Sequence, residues 1–87
     1  MTTTEIKRNV MTYTFYFKTE TCCSFDYGIM TTENFEQSEI SNSHDWMSWD
    51  GTLEDLKGYI NPNPSNLYST HINDALIECI EYAENYL

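Results

Sequence analysis

The last third of the chain constrains the fold most. Ile72, Leu76, Cys79, Ile80, Ala83 and Leu87 recur at close to 3.6-residue spacing, which a helix turns into one continuous apolar stripe. Such a stripe must be buried against another element. The start of the chain offers a partner with a different period. In Val10 to Lys18 (VMTYTFYFK), Met11, Tyr13, Phe15 and Phe17 fall on one face, and Val10, Thr12, Thr14, Tyr16 and Lys18 on the other. Alternation of β-branched and aromatic residues is the signature of a strand. A strand period at one end and a helix period at the other predict an α+β domain.

The intervening elements fit that frame. Thr19-Glu20-Thr21 reads as a short turn, followed by a second strand over Cys22 to Met30, in which Cys23, Phe25, Tyr27 and Ile29 alternate with Ser24, Asp26 and Gly28. Together the two segments predict an antiparallel hairpin, although without the Asn-Gly or Asp-Gly turn that marks the tightest ones. From Thr31 to Ser43 the pattern fades. Phe35 and Ile40 are the only large apolar groups there, and the segment suits a third strand or a short surface helix, leaning to strand or extended loop. His44 to Gly51 (HDWMSWDG) suits a short strand, with Trp46 and Ser48 on one face and Met47 and Trp49 on the other, closing on an Asp-Gly turn signal. Thr52-x-x-Asp55 resembles a capping box and opens a short helix to about Tyr59, with Leu53, Leu56 and Ile60 as its stripe. Pro62 and Pro64 end it. Ser69 or Thr70 is expected to cap the final helix. The expected assembly is one domain over residues 1–87, a small antiparallel sheet packed against the C-terminal amphipathic helix with the short helix in a corner.

At 87 residues such a domain buries roughly 60–65% of its unfolded surface, enough for one thin core. Aromatics at 15% of the chain supply much of that burial and separate it from disordered acidic tails. No run approaches the roughly 20 apolar residues of a membrane span. The opening MTTTEIKR lacks the apolar core of a secretory signal. Anionic lipid headgroups would repel most of the surface. Cys22, Cys23 and Cys79 form no disulfide framework, and an odd count with two adjacent thiols reads as reduced, hence a cytoplasmic setting.

Charge is the feature the fold does not require. Residues 1–18 hold Glu5 against Lys7, Arg8 and Lys18; every later position together holds thirteen acids against Lys57 alone. Net charge speaks to solubility, partners and association rate rather than topology. On the last helix Asp74, Glu78 and Glu81 stand at i, i+4 and i+7, within about 60° around the axis and roughly 6 and 4.5 Å apart along it, with Glu84 to one side. That is near the spacing of phosphates along a nucleic-acid strand, given the reach of the carboxylates. Like charges at i, i+4 are unfavourable, and Glu81 and Glu84 lie at the end of the helix that prefers cations. An ordinary solvated helix face is the plain alternative. A second group comprises Glu33, Glu36, Glu39, Asp45 and Asp50, with Glu54 and Asp55 explained by their place at a helix N-terminus. Trp46 and Trp49 stand among these acids, which is how a protein-binding surface combines steering with anchoring. Core packing in a chain short of aliphatics is the competing account of both Trp.

Other chemistries find little support. Four bases cannot line a phosphate-binding surface, so direct nucleic-acid binding is not expected. His44, Asp45, Ser43, Ser48 and His71 come with no Gly-rich loop or strained turn, and no catalytic residues are assigned. No zinc spacing links the histidines to the cysteines, and Asp45 to Gly51 lacks the alternating ligands of an EF-hand loop. No metal or cofactor is expected.

In size, charge and compactness, though in no motif, the chain is similar to the phage-encoded DNA-mimic inhibitors, among them some anti-CRISPR and anti-restriction proteins. That profile implies a small inhibitor whose carboxylates stand where phosphates stand, occupying the basic channel of a nucleic-acid-binding protein or effector complex. The partner-binding candidates are then Asp74, Glu78, Glu81, Glu84, Glu33, Glu36, Glu39, Asp45, Asp50, Trp46 and Trp49. The alternative is a protein-interaction module, a toxin-neutralising immunity protein or a homodimer paired through the hairpin's Tyr16 face, with acidity serving solubility.

Overall fold

A computed structural model of the chain describes residues 11–21 and 24–87. The expectations for Val10, Cys22 and Cys23 fall outside those residues. Strand β1 (Tyr13–Thr21) is the middle of a three-stranded antiparallel sheet, with β2 (Ser24–Thr31) on one side and β3 (Met47–Gly51) on the other. Phe15 pairs with Ile29 and Trp49, and Tyr16 with Gly28 and Ser48. The expected turn at Thr19-Glu20-Thr21 is instead part of β1. Thr19 pairs with Phe25 and Thr21 with Ser24, across a register irregularity. Threonine suits a strand better than a tight turn, so pairing continues to Thr21.

The alternation read from the sequence decides the layers. Tyr13, Phe15 and Phe17 are buried on one face of β1, and Phe25, Ile29 and Trp49 from the neighbouring strands pack around them. Against this face lies helix α3 (Leu67–Tyr86), burying Ala75, Leu76, Cys79, Ile80 and Ala83. Phe15, Phe17 and Leu76 are almost wholly inaccessible, and each such side chain contributes about 1.5–3 kcal/mol by leaving water. Leu87 departs from the expected stripe. It follows the last helical residue and is 45% exposed, while Ala75 takes a buried place. The cap differs as well. Asn66, not Ser69 or Thr70, is the N-cap, its Oδ1 accepting the Ser69 N–H at 2.8 Å. Ser69 is therefore the capped position, three residues in.

After β2 the chain crosses the opposite face of the sheet to reach the far side of β1. The lean towards strand or extended loop is overturned here, because the crossover contains helix α1 (Thr32–Glu36) and a 3-10 turn (Glu39–Asn42). The Thr31 hydroxyl accepts the Asn34 N–H at 3.3 Å and starts α1, and Ser38 Oγ donates to the Phe35 carbonyl at 2.7 Å at its end. Phe35 stacks on Tyr16 with ring centroids 5.9 Å apart, and the Thr14 and Thr32 hydroxyls meet at 3.2 Å. These contacts fix α1 to the sheet face that carries Thr14 and Tyr16.

Helix α2 (Leu53–Lys57) has the expected capping box. Thr52 Oγ1 accepts the Asp55 N–H at 3.1 Å, and Asp55 Oδ2 accepts the Thr52 N–H at 3.0 Å. Gly51 precedes it at φ 153°, and a Cβ there would press within 2.8 Å of the Asp55 Cβ, so the Asp-Gly signal serves both turn and cap. Leu56 drops into the core between sheet and α3.

Candidate functional site

Twelve acidic side chains are described, Asp26 and all those from Glu33 to Glu84, and every one is exposed. Helix geometry explains this for the last group. Asp74, Glu78 and Glu81 project from α3 about opposite Leu76 and Ala83, which face the sheet. Two of the four acids on α3 are engaged. Glu84 accepts a hydrogen bond from Lys57 at 2.9 Å across the α2–α3 junction, and that bond holds the Lys57 ammonium above its ordinary pKa. Glu78 accepts the hydroxyl proton of Tyr27 through Oε1. The Asp74 and Glu81 side chains make no hydrogen bond or ion pair among the described residues.

Glu33, Glu36, Glu39, Asp45 and Asp50 belong to the crossover side of the sheet. Glu33 lies in the first turn of α1 and Glu39 in the first turn of the 3-10 segment, where amide groups favour a negative charge. Both acquire a local reason that their sequence spacing did not reveal. Glu36 ends α1. The Asp45 N–H donates to Ser43 Oγ at 3.2 Å in the turn before β3. Asp50 pairs with Thr14 and shares its side of the sheet. The candidate acids thus form two fields separated by the sheet, one on α3 and one around the crossover.

The two tryptophans are divided in the same way. Trp49 points to the core side, 5.9 Å from Phe15 and 5.2 Å from Phe17, with Tyr59 stacked on it at 4.7 Å and 15°. Trp46 lies on the crossover side, edge-on to Tyr16 at 5.3 Å, with Lys18 Nζ 4.7 Å above its ring. Both rings are half-buried against their own domain. The Tyr16 face proposed for hairpin pairing is covered by Phe35 and Trp46. The outer side of β2 is left as a sheet edge.

Glu78, together with residues outside the candidate set, forms a cleft at that edge. Tyr16 lies over its cross-strand partner Gly28, where a side chain would collide with the ring. With Tyr27 and Ile29 from β2 and Glu78, Cys79 and Tyr82 from α3, it lines an open cleft of about 330 Å³. Burial, reinforced by Glu78, raises the Cys79 thiol to about 12. The hydrogen bond to Glu78, then burial, raises the Tyr27 phenol, and burial raises that of Tyr16. All three groups are therefore uncharged near neutrality. The sequence held one signal of this site: Tyr82 follows Glu78 by one helical turn. The pairing of Tyr16 with Gly28 required a strand register that the hairpin turn did not fix.

No group of acids, histidines and cysteines suited to a metal ion occurs among the described residues. No helix among them is long and apolar enough to cross a membrane. The chain matches no protein-family model, no curated protein and no solved structure.

Proposed function

We propose that this protein is an acidic inhibitor that binds the basic nucleic-acid-binding surface of another protein, its carboxylates standing in for phosphates. The observation that carries this reading is the exposure of all twelve described acids, set against two described lysines that are both engaged. Lys57 is paired with Glu84 and Lys18 lies over Trp46. A negative field of this kind accelerates encounter with a basic partner and weakens steeply with salt. Asp74, Glu78 and Glu81 form the most regular row, on a helix whose opposite side is anchored in the core. Rigid placement of the charges lowers the ordering cost of binding.

The test is capture of partners from lysate at low and high salt, with duplex DNA as competitor, using the protein and its Asp74→Lys, Glu78→Lys, Glu81→Lys triple variant. The expected result is a basic nucleic-acid-binding protein that DNA and salt displace and that the folded triple variant does not retain. Capture that is indifferent to DNA and to the triple variant would overturn the reading and favour an interaction module whose acidity serves solubility.

A further inference from the structure

The cleft beside β2 has a composition that the acidic surface alone does not explain. Three phenol rings, Tyr16, Tyr27 and Tyr82, border it, Cys79 contributes a buried thiol, and Glu78 is its one carboxylate. No lysine or arginine lines it. Tyr27 occupies Glu78 Oε1, which holds the carboxylate in place and leaves its second oxygen to accept from a ligand. An anion would meet Glu78 directly, with Asp74 and Glu81 on the same helix face. A neutral ligand would leave the charge unanswered. A cation gains both the carboxylate and the negative faces of the rings.

We infer that this cleft seats one arginine side chain of the basic partner, its guanidinium held by Glu78 and flanked by the tyrosine rings. The inference rests on the proposed inhibitor function and specifies a contact within it. Arginine fits better than lysine because its planar, weakly hydrated guanidinium stacks on rings while donating to the free carboxylate oxygen, whereas an ammonium is a strongly hydrated point charge. The volume of about 330 Å³ is at the lower end for ligand sites and suits a single side chain. Diffuse attraction by the acid fields brings the partner in, and the cleft gives it one fixed point of attachment.

An NMR titration of the ¹⁵N-labelled protein with N-acetyl-arginine amide tests this, with N-acetyl-citrulline amide as the neutral probe of similar shape. The expected result is saturable shift changes centred on Tyr27, Ile29, Glu78 and Tyr82 with arginine and none with citrulline. Glu78→Gln, which keeps an acceptor for Tyr27 and removes the charge, should weaken binding about fivefold or more. Tyr82→Ala, at a half-exposed position, should weaken it about threefold. Shifts spread evenly over Glu33, Glu39 and Asp50, equal binding of citrulline, or unchanged binding to both variants would each overturn the assignment. The DNA-competed capture separates the two claims. If capture succeeds and the titration fails, the cleft is refuted alone; if the titration succeeds and capture fails, the inhibitor reading falls and takes with it the partner assigned to the cleft, leaving only its selectivity for a guanidinium.

Discussion

The Tyr16 ring lies across Gly28 so closely that a Cβ at residue 28 would stand 2.6 Å from the phenol Cζ. The glycine is in effect filled by its cross-strand neighbour, an arrangement that stabilises sheet edges lacking side-chain cover. Gly28→Ala must displace the ring, and with it the contacts to Phe35 and Trp46. The expected cost is about 1–3 kcal/mol, read as a lower urea midpoint. An unchanged midpoint would mean that the ring is not seated there.

The two tryptophans should separate by stability. Trp49 touches Phe15, Phe17 and Tyr59 on the core side, whereas Trp46 meets Tyr16 and Lys18 on the crossover side. Trp49→Ala is expected to cost about 3 kcal/mol and Trp46→Ala about 1 kcal/mol. Equal losses in denaturant unfolding would contradict the layer assignment.

That assignment also marks what the sequence could and could not reveal. The faces of β1, the capping box at Thr52 and the stripe of α3 were legible because each depends on spacing within one element. The crossover was not, because Phe35 gains its meaning from Tyr16, nineteen positions earlier, and the Thr31 cap from a single hydrogen bond. The acids were visible as letters, but their division into two fields depends on which side of the sheet the crossover takes. The cleft was hidden for the same reason, since it assembles side chains from β1, β2 and α3.

Helix caps give a third check. Thr52→Ala removes the acceptor for the Asp55 amide, and Asn66→Ala the acceptor for the Ser69 amide. Each is expected to cost about 1 kcal/mol in urea unfolding. A loss at Asn66 with none at Ser69→Ala would distinguish the observed cap from the one the sequence first suggests.

Stability should fall in alkali. The buried Cys79 thiol has its pKa raised from 9.0 to about 12, so between those values the folded state keeps a proton that the unfolded chain releases. The contribution is complete below about pH 9 and is lost as pH rises towards 12. Tyr16 and Tyr27, raised from 10.0, act with the same sign at the upper end. Urea unfolding from pH 8 to 11 should show the decline, and Cys79→Ala should make it shallower; an identical slope would exclude Cys79 as a source.

The charge row carries a stability cost. Glu81 stands three residues from both Glu78 and Glu84, towards the helix end that disfavours anions. Glu81→Lys should therefore stabilise the fold by about a few tenths of a kcal/mol while weakening capture of a basic partner. A substitution that improves the fold and impairs binding is the pattern expected where surface charge serves recognition. Loss of stability on this change would argue against the row being under repulsion.

The central position of β1 has a consequence for how the chain comes into being. The strand made first in the sheet is the one that everything else must cover, and its aromatic side is sealed by α3, which follows all three strands in the chain. Until Leu76 and Ile80 have been translated, Phe15 and Phe17 lack their cover. The nascent chain therefore carries an adhesive aromatic ribbon until α3 has been made, with its acids as a safeguard against sticking to neighbouring chains.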